Sequence, residues 1–257
     1  METKKITAII IFVVVIIAGG FVLYLQRETI LTGFSKKQPP QTQEQNQSQS
    51  QNQAATVEDK KIRDNTSPFS IDVTYPQIPG QDSFNKKVED IVNNELTNFK
   101  EYSLENDNAV RQTDPAGYAE YPREYTFAMD YYKGTVDENV ASFVLNIEEY
   151  EGGAHGAHNL LAINYDLKNN KDIQLADLFS GQPNYLQTIS DYCVSDLTKQ
   201  INQKVGDVSG TWISQGAGPS LENFSIFLIN KDNITFYFPE YQVAPYAAGS
   251  FQVTMPR

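Results

Sequence analysis

Cysteine, histidine and tryptophan are scarce in this chain of 257 residues: one Cys, two His and one Trp. The single Cys193 excludes an internal disulfide, so the folded part depends on its core alone. Cys193 lies in an apolar helical pattern, where a buried, inert thiol is expected. His155 and His158 have no third histidine and no nearby Cys, so a zinc site would need carboxylates to complete it. No G-x-S-x-G motif marks a serine nucleophile. Positive charge is also short, with 20 Lys and Arg against 32 Asp and Glu and a net charge of −12. That balance disfavours nucleic acid and anionic lipid as partners and favours a cationic one. Solubility alone is a sufficient reason for it.

Long hydrophobic runs are confined to one place. Residues 6–25, ITAIIIFVVVIIAGGFVLYL, carry no charge. As a helix they would span roughly 30 Å, one hydrocarbon core. Lys4 and Lys5 precede the run and Arg27 follows it. No A-x-A cleavage pattern follows, which favours an uncleaved signal anchor over a signal peptide. The reading is a short cytoplasmic tail (1–5), a transmembrane anchor (6–25) and a single-pass protein of the cell membrane with its C-terminal part outside. Residues 26–65 are rich in Gln and lack apolar periodicity, so they are expected to form a disordered linker.

The remainder holds most of the 15 Tyr and 14 Phe, which suits a β-rich body. FSIDVTY (69–75) alternates as a half-buried strand. The segment from Asp82 to Tyr102 places Phe84, Val88, Val92 and Phe99 on one helical stripe, and 103–120 reads as a loop. Two strands follow around 124–150, then NLLAINYDL, a helix carrying Leu186, Ile189, Cys193, Leu197 and Ile201, and three closing strands. The expected fold class is α+β: antiparallel sheets each covered by a helix, in two similar halves, 66–148 and 149–257.

EYEGGAHGAHNLL (149–161) holds both histidines beside paired glycines. Metal-binding helices space histidines by four so that both rings share a face; here the pair is spaced by three between strands. Gly152, Gly153 and Gly156 suit a sharp turn or bulge, with His155 bridging backbone groups through its ring nitrogens and His158 exposed. The residues therefore favour a shape-keeping turn over a metal or catalytic site. Pro245 and Gly249 frame a second turn in FPEYQVAPYAAGSF (238–251). Binding candidates are His155, His158, Tyr241, Tyr246 and Trp212, the tyrosines because each offers a flat apolar face with a polar tip. No catalytic residue, metal ligand or cofactor is assigned.

YEGGAHG followed by YDLKNNKDIQLADLF, and ITFYFPEYQVAPYAAGSFQVTMP, resemble the extracytoplasmic domain shared by PdaC-type peptidoglycan deacetylases and RsiV-type anti-sigma factors. FSIDVTYPQIPG and the helix after it are similar to the companion domain that precedes it in those proteins. Asn170 stands where that pattern has Gly. The resemblance implies a sensing or binding module at the cell envelope, with peptidoglycan or a lysozyme-like cationic protein as ligand. It also implies an alternative, a metal-dependent envelope hydrolase of the deacetylase kind. The deacetylase His-x-x-x-His motif is absent from the sequence, so that activity does not carry over directly.

Overall fold

The computed structural model describes residues 55–121, 123–206 and 210–257. The tail, the anchor and most of the linker lie outside the described residues. Among the described residues no helix is long and apolar enough to cross a membrane.

Strands β1 (Glu58–Asp64), β2 (Phe69–Gln77), β3 (Tyr125–Val136), β4 (Val140–Tyr150), β5 (Ala157–Asp166) and β6 (Lys171–Asp172) form a six-stranded sheet in sequence order. Strands β7 (Phe227–Ile229), β8 (Asn233–Phe238) and β9 (Phe251–Pro256) form a second sheet of three. The fold is mixed α+β, as expected, with three corrections. First, the β2–β3 pair is parallel, whereas every other pair is antiparallel. A helix fills the connection between β2 and β3 and brings the chain back to the same end of the sheet. Second, Glu58–Asp64 is a strand inside the stretch expected to be linker. Its charged residues suit a sheet edge, and half-buried Ile62 packs on the core. Third, the halves at 66–148 and 149–257 share one sheet, because β4 pairs with β5 across that line.

Helix α1 runs from Asp82 to Thr113, 32 residues, roughly 48 Å. Phe84, Val88, Val92 and Phe99 bury its stripe against Phe127, Phe143 and Tyr165 of the sheet. The expected loop at 103–120 is instead the last third of α1 followed by α2 (Pro115–Glu120). The buried stripe continues at Ser103 and Asp107, two polar residues that an apolar pattern does not register. Asp114 caps α2 by accepting from the Gly117 N–H at 3.0 Å, and Pro115 takes the first helical position.

Helix α3 (Tyr185–Val205) buries Ile189, Cys193, Leu197 and Ile201 against Phe236, Phe238 and Val253 of the small sheet. Burial pushes the Cys193 thiol up to about 12, with Asp196 adding to the effect, so it stays protonated. Helix α4 (Gly210–Gly216) follows. Asn170 adopts φ +51, a left-handed conformation that Asn tolerates, so its replacement of Gly keeps the turn.

A third cluster, Val144, Leu160, Leu228 and Tyr237, joins the two sheets. Beside it lies a buried polar junction. The outward backbone groups of β7 at Phe227 and Ile229 point away from β8. Ser142 Oγ accepts from the Ile229 N–H at 2.7 Å and donates to Asn164 Oδ1 at 2.6 Å, while Asn164 Nδ2 donates to the Phe227 carbonyl at 2.9 Å. Two side chains thus satisfy one edge of the small sheet.

Candidate functional site

The β4–β5 loop is tied down from below. Arg123 donates to the Gly152 carbonyl at 2.7 Å, and Asn106 of α1 donates to the Glu151 carbonyl at 3.1 Å. Gly152 has φ +85, and a Cβ there would lie 2.9 Å from Arg123 and 3.0 Å from the Tyr125 ring. A Cβ on Gly156 would meet the Glu149 carbonyl at 3.0 Å. Gly152 is required by its positive φ, and at Gly156 a side chain would crowd the Glu149 carbonyl. Gly153 is open, with nothing closer than 3.7 Å. The support beneath is Asp107, which accepts from Tyr118 at 2.6 Å, Arg111 at 2.6 Å and Tyr125 at 3.0 Å. Burial alone would raise its pKa; the hydrogen bonds from Tyr118, Arg111 and Tyr125 outweigh it and hold the carboxyl below its ordinary value.

The two histidines exchange their expected roles. His155 is exposed rather than bridging buried groups, and its Nδ1 donates to the Gly156 carbonyl at 2.7 Å. That bond requires a proton on Nδ1. The His155 ring stacks on Tyr246 at 4.8 Å, and Tyr246 stacks on Tyr241 at 5.4 Å. Tyr241 is 57% exposed and Tyr246 41%. Tyr241 also has φ +69, a conformation that costs a bulky residue about 1–2 kcal/mol. Pro245 opens the short 3₁₀ turn Tyr246–Ala248, and Gly249 closes it at φ +70.

His158 is half-buried rather than exposed, because it faces the other sheet's closing loop. Its Nε2 meets Asn146 Oδ1 at 2.6 Å, and its Nδ1 meets Glu240 Oε1 at 3.3 Å. Asn146 donates from Nδ2 to Asp130 at 2.8 Å, which orients its carbonyl toward the imidazole. The Nδ1–Glu240 contact attracts only when a proton lies between the two groups. Beside this chain Tyr132 stacks on Tyr237 at 5.6 Å. Burial, then the charges of Asp130 and Glu148, raise the Tyr132 phenol, and burial followed by Tyr132 takes Tyr237 up to about 12.

The structure therefore brings His155, His158, Tyr241 and Tyr246 together from two segments some 85 residues apart. Trp212 is half-buried on α4, and no ring contact links it to this cluster. Sequence reading missed Asp130, Asn146 and Glu240. Asp130 and Asn146 pair across β3 and β4 on the face opposite the aromatic core, and Glu240 sits next to Tyr241. Among the described residues no three His, Cys, Asp or Glu side chains are grouped to hold a metal ion. The arrangement presents aromatic faces and acceptor oxygens.

Known proteins fit this architecture. The family described as Deacetylase PdaC matches residues 62–158, and the family described as Protein of unknown function (DUF3298) matches residues 176–257. The chain is 33% identical over 107 residues to peptidoglycan-N-acetylmuramic acid deacetylase PdaC of Bacillus subtilis, a match covering 42% of this chain and 22% of that protein. It is 26% identical over 141 residues to immunogenic protein MPT64 of Mycobacterium tuberculosis, covering 53% of this chain and 59% of that one. The chain thus spans less than two thirds of the curated relatives it matches. Crystal structures of DUF3298-family proteins share the fold. One from Bacteroides fragilis has a TM-score of 0.51 at 19% identity, covering 79% of this chain and 88% of its own. One from Pseudomonas aeruginosa has a TM-score of 0.53 at 12% identity, covering 80% and 92%.

Proposed function

Because the chain carries a PdaC-type domain followed by a DUF3298-type domain, we propose that it is a binding or sensing module of the cell envelope. In this reading the apolar run at 6–25 anchors it to the membrane and residues 55–257 stand outside. The ligand is a cell-wall glycan or a cationic wall-acting protein such as lysozyme. The observation that carries the reading is the exposed His155–Tyr246–Tyr241 column. Flat rings suit sugar faces and cationic side chains alike, and Glu240, next to Tyr241 in the chain, adds an acceptor carboxylate. The strained backbone at Tyr241 supports a binding role, since such strain persists where a side chain must be held in place.

The test is a pull-down with the 257-residue chain in mild detergent, offering purified peptidoglycan and lysozyme in separate arms. The expected result is retention of one ligand at raised salt, lost in a Tyr241→Ala, Tyr246→Ala variant. Retention of neither, or binding abolished by modest salt in both arms, would sink the reading and leave acidity as the sole attraction.

A further inference from the structure

Among the described residues each sheet edge is protected, with one exception. Edge strand β1 carries Glu58, Asp59, Lys60, Lys61, Arg63 and Asp64. On β9, Tyr192 donates to the Thr254 carbonyl at 3.2 Å and Gln200 to the Gln252 carbonyl at 2.9 Å. On β7, Ser142 and Asn164 satisfy Ile229 and Phe227. The exception is β5. Strand β6 covers only Tyr165 and Asp166 of it, and the Ile173 N–H donates to the Asn164 carbonyl at 2.8 Å before the chain turns away. The bond at Asn164 fixes the parity of the strand: the N–H and C=O groups of His158, Leu160 and Ala162 also point outward. Among the described residues they meet no protein partner, and about 20 Å of strand lies open.

This edge borders a cavity of about 210 Å³ whose walls include Lys87 and Ile91 of α1, Ala162, Ile173, Ser225 and Phe227. Helix α1 stands on one side of it through Lys87 and Ile91, and Ser225 and Phe227 stand on the other. The chain itself shows how the groove is used, since β6 and Ile173 begin an antiparallel strand along it and stop. At the β6 end the wall charges Lys87 and Asp172 pair with each other at 3.0 Å, while toward the start of β5 the charges are acidic. Glu149, bonded to Asn159 of β5, has its carboxyl raised by burial and by the nearby charges of Glu151 and Glu95.

We propose that the open edge of β5 binds an extended basic peptide segment by strand addition, antiparallel and in line with β6. Main-chain hydrogen bonds to His158, Leu160 and Ala162 supply the affinity. Alternate side chains point toward Phe227, where small apolar groups fit, and toward α1, where Glu95 and Glu149 take Lys or Arg. This goes beyond the envelope-binding reading, and it stands or falls separately from the His155–Tyr246–Tyr241 column.

The experiment is hydrogen exchange of the 257-residue chain in mild detergent with a capped synthetic peptide, Lys-Val-Lys-Val-Lys-Val-Lys. A second peptide is N-methylated at alternate residues, removing the donors that would face β5. The expected result is slowed exchange across 157–164 with the first peptide and none with the second. Ala162→Pro, which removes an unused edge N–H, is expected to weaken the first peptide at least tenfold. If that variant fails to fold, the comparison of the two peptides decides. Equal protection by both peptides, protection at β1 or β9 instead, or no protection by either overturns the proposal. Peptidoglycan and lysozyme serve as separate arms, so loss of their binding leaves this outcome readable.

Discussion

Asn164→Ala tests the junction that holds the two sheets together. In the wild type Asn164 is 6% exposed and Ser142 fully buried. Removing the amide strands the Phe227 carbonyl, which faces away from β8, and leaves the Ser142 hydroxyl without its acceptor. A stranded buried group costs about 1–3 kcal/mol. Two of them, partly relieved by water, give a loss of about 3 kcal/mol. For a folded part of this size each kcal/mol moves the midpoint by about 2–4 °C, so the expected fall is about 6–12 °C. Differential scanning calorimetry on the wild type, Asn164→Ala, Ser142→Ala and the double variant measures it. Ser142→Ala strands the Ile229 N–H and should fall similarly. The double variant should lose less than the sum of the singles, with a coupling of about 1 kcal/mol or more. Single losses below about 2 °C, or strict additivity, would falsify the view that these side chains replace a missing strand partner.

Three further outcomes are expected. Asp107→Asn should cost about 1–3 kcal/mol at neutral pH, because an amide N–H then meets the donors of Arg111 or the tyrosines. The Asp107 carboxyl is held below its ordinary value, so its contribution is present above about pH 4 and lost as pH falls through the lower folded value. An acid melt should show the gap between wild type and Asp107→Asn closing on acidification, and a gap that widens contradicts the sign. Tyr241→Gly should leave the melting point unchanged or raise it, since glycine accepts φ +69 freely, while removing ligand retention; a clear loss of stability would mean that the ring is structural. His155→Ala should shift stability by under about 1 kcal/mol, its one hydrogen bond being exposed and local, whereas His158→Ala should cost about 1–2 kcal/mol by unpairing Asn146 and Glu240. Chemical denaturation ranks the two, and the reverse order would restore His155 as the buried bridge.

The strands and helices were legible wherever apolar residues keep a regular period. Phe84, Val88, Val92 and Phe99 announce α1, and Leu161 and Ile163 announce β5. The pattern failed where burial is polar. Ser103 and Asp107 continue the buried face of α1, but a helix that spends its last turns on a carboxylate held by tyrosines looks like a loop to a hydrophobic count. It failed again at Glu58–Asp64, where charge, the usual sign of solvent, marks a sheet edge. The aromatic candidates Tyr241 and Tyr246 could be nominated from their chemistry. That His155 stacks on Tyr246 while His158 turns to Glu240 could not, because i and i+3 point to different sides only once the loop conformation is fixed.

That divergence explains why the glycine-rich loop and the Ala-Pro-Tyr turn form one unit. The β4–β5 loop leaves the six-stranded sheet at Gly152, where Arg123 and the Tyr125 ring exclude a side chain. It must then project one imidazole outward and return the next to the face of the sheet. The 239–249 turn receives both: Glu240 meets the returning His158, and Tyr246 meets the projecting His155. A change in either segment loses a partner in the other. Asp107 of α1, Tyr125 of β3 and Arg123 just before it hold one segment. Helix α4 and the 3₁₀ turn Glu222–Phe224 hold the other through Gln242, whose amide donates to the Gly216 and Asn223 carbonyls at 2.8 and 3.0 Å. The aromatic column is therefore assembled by the packing of two sheets, and any change that loosens the Ser142–Asn164 junction between them also loosens the surface on which binding is proposed.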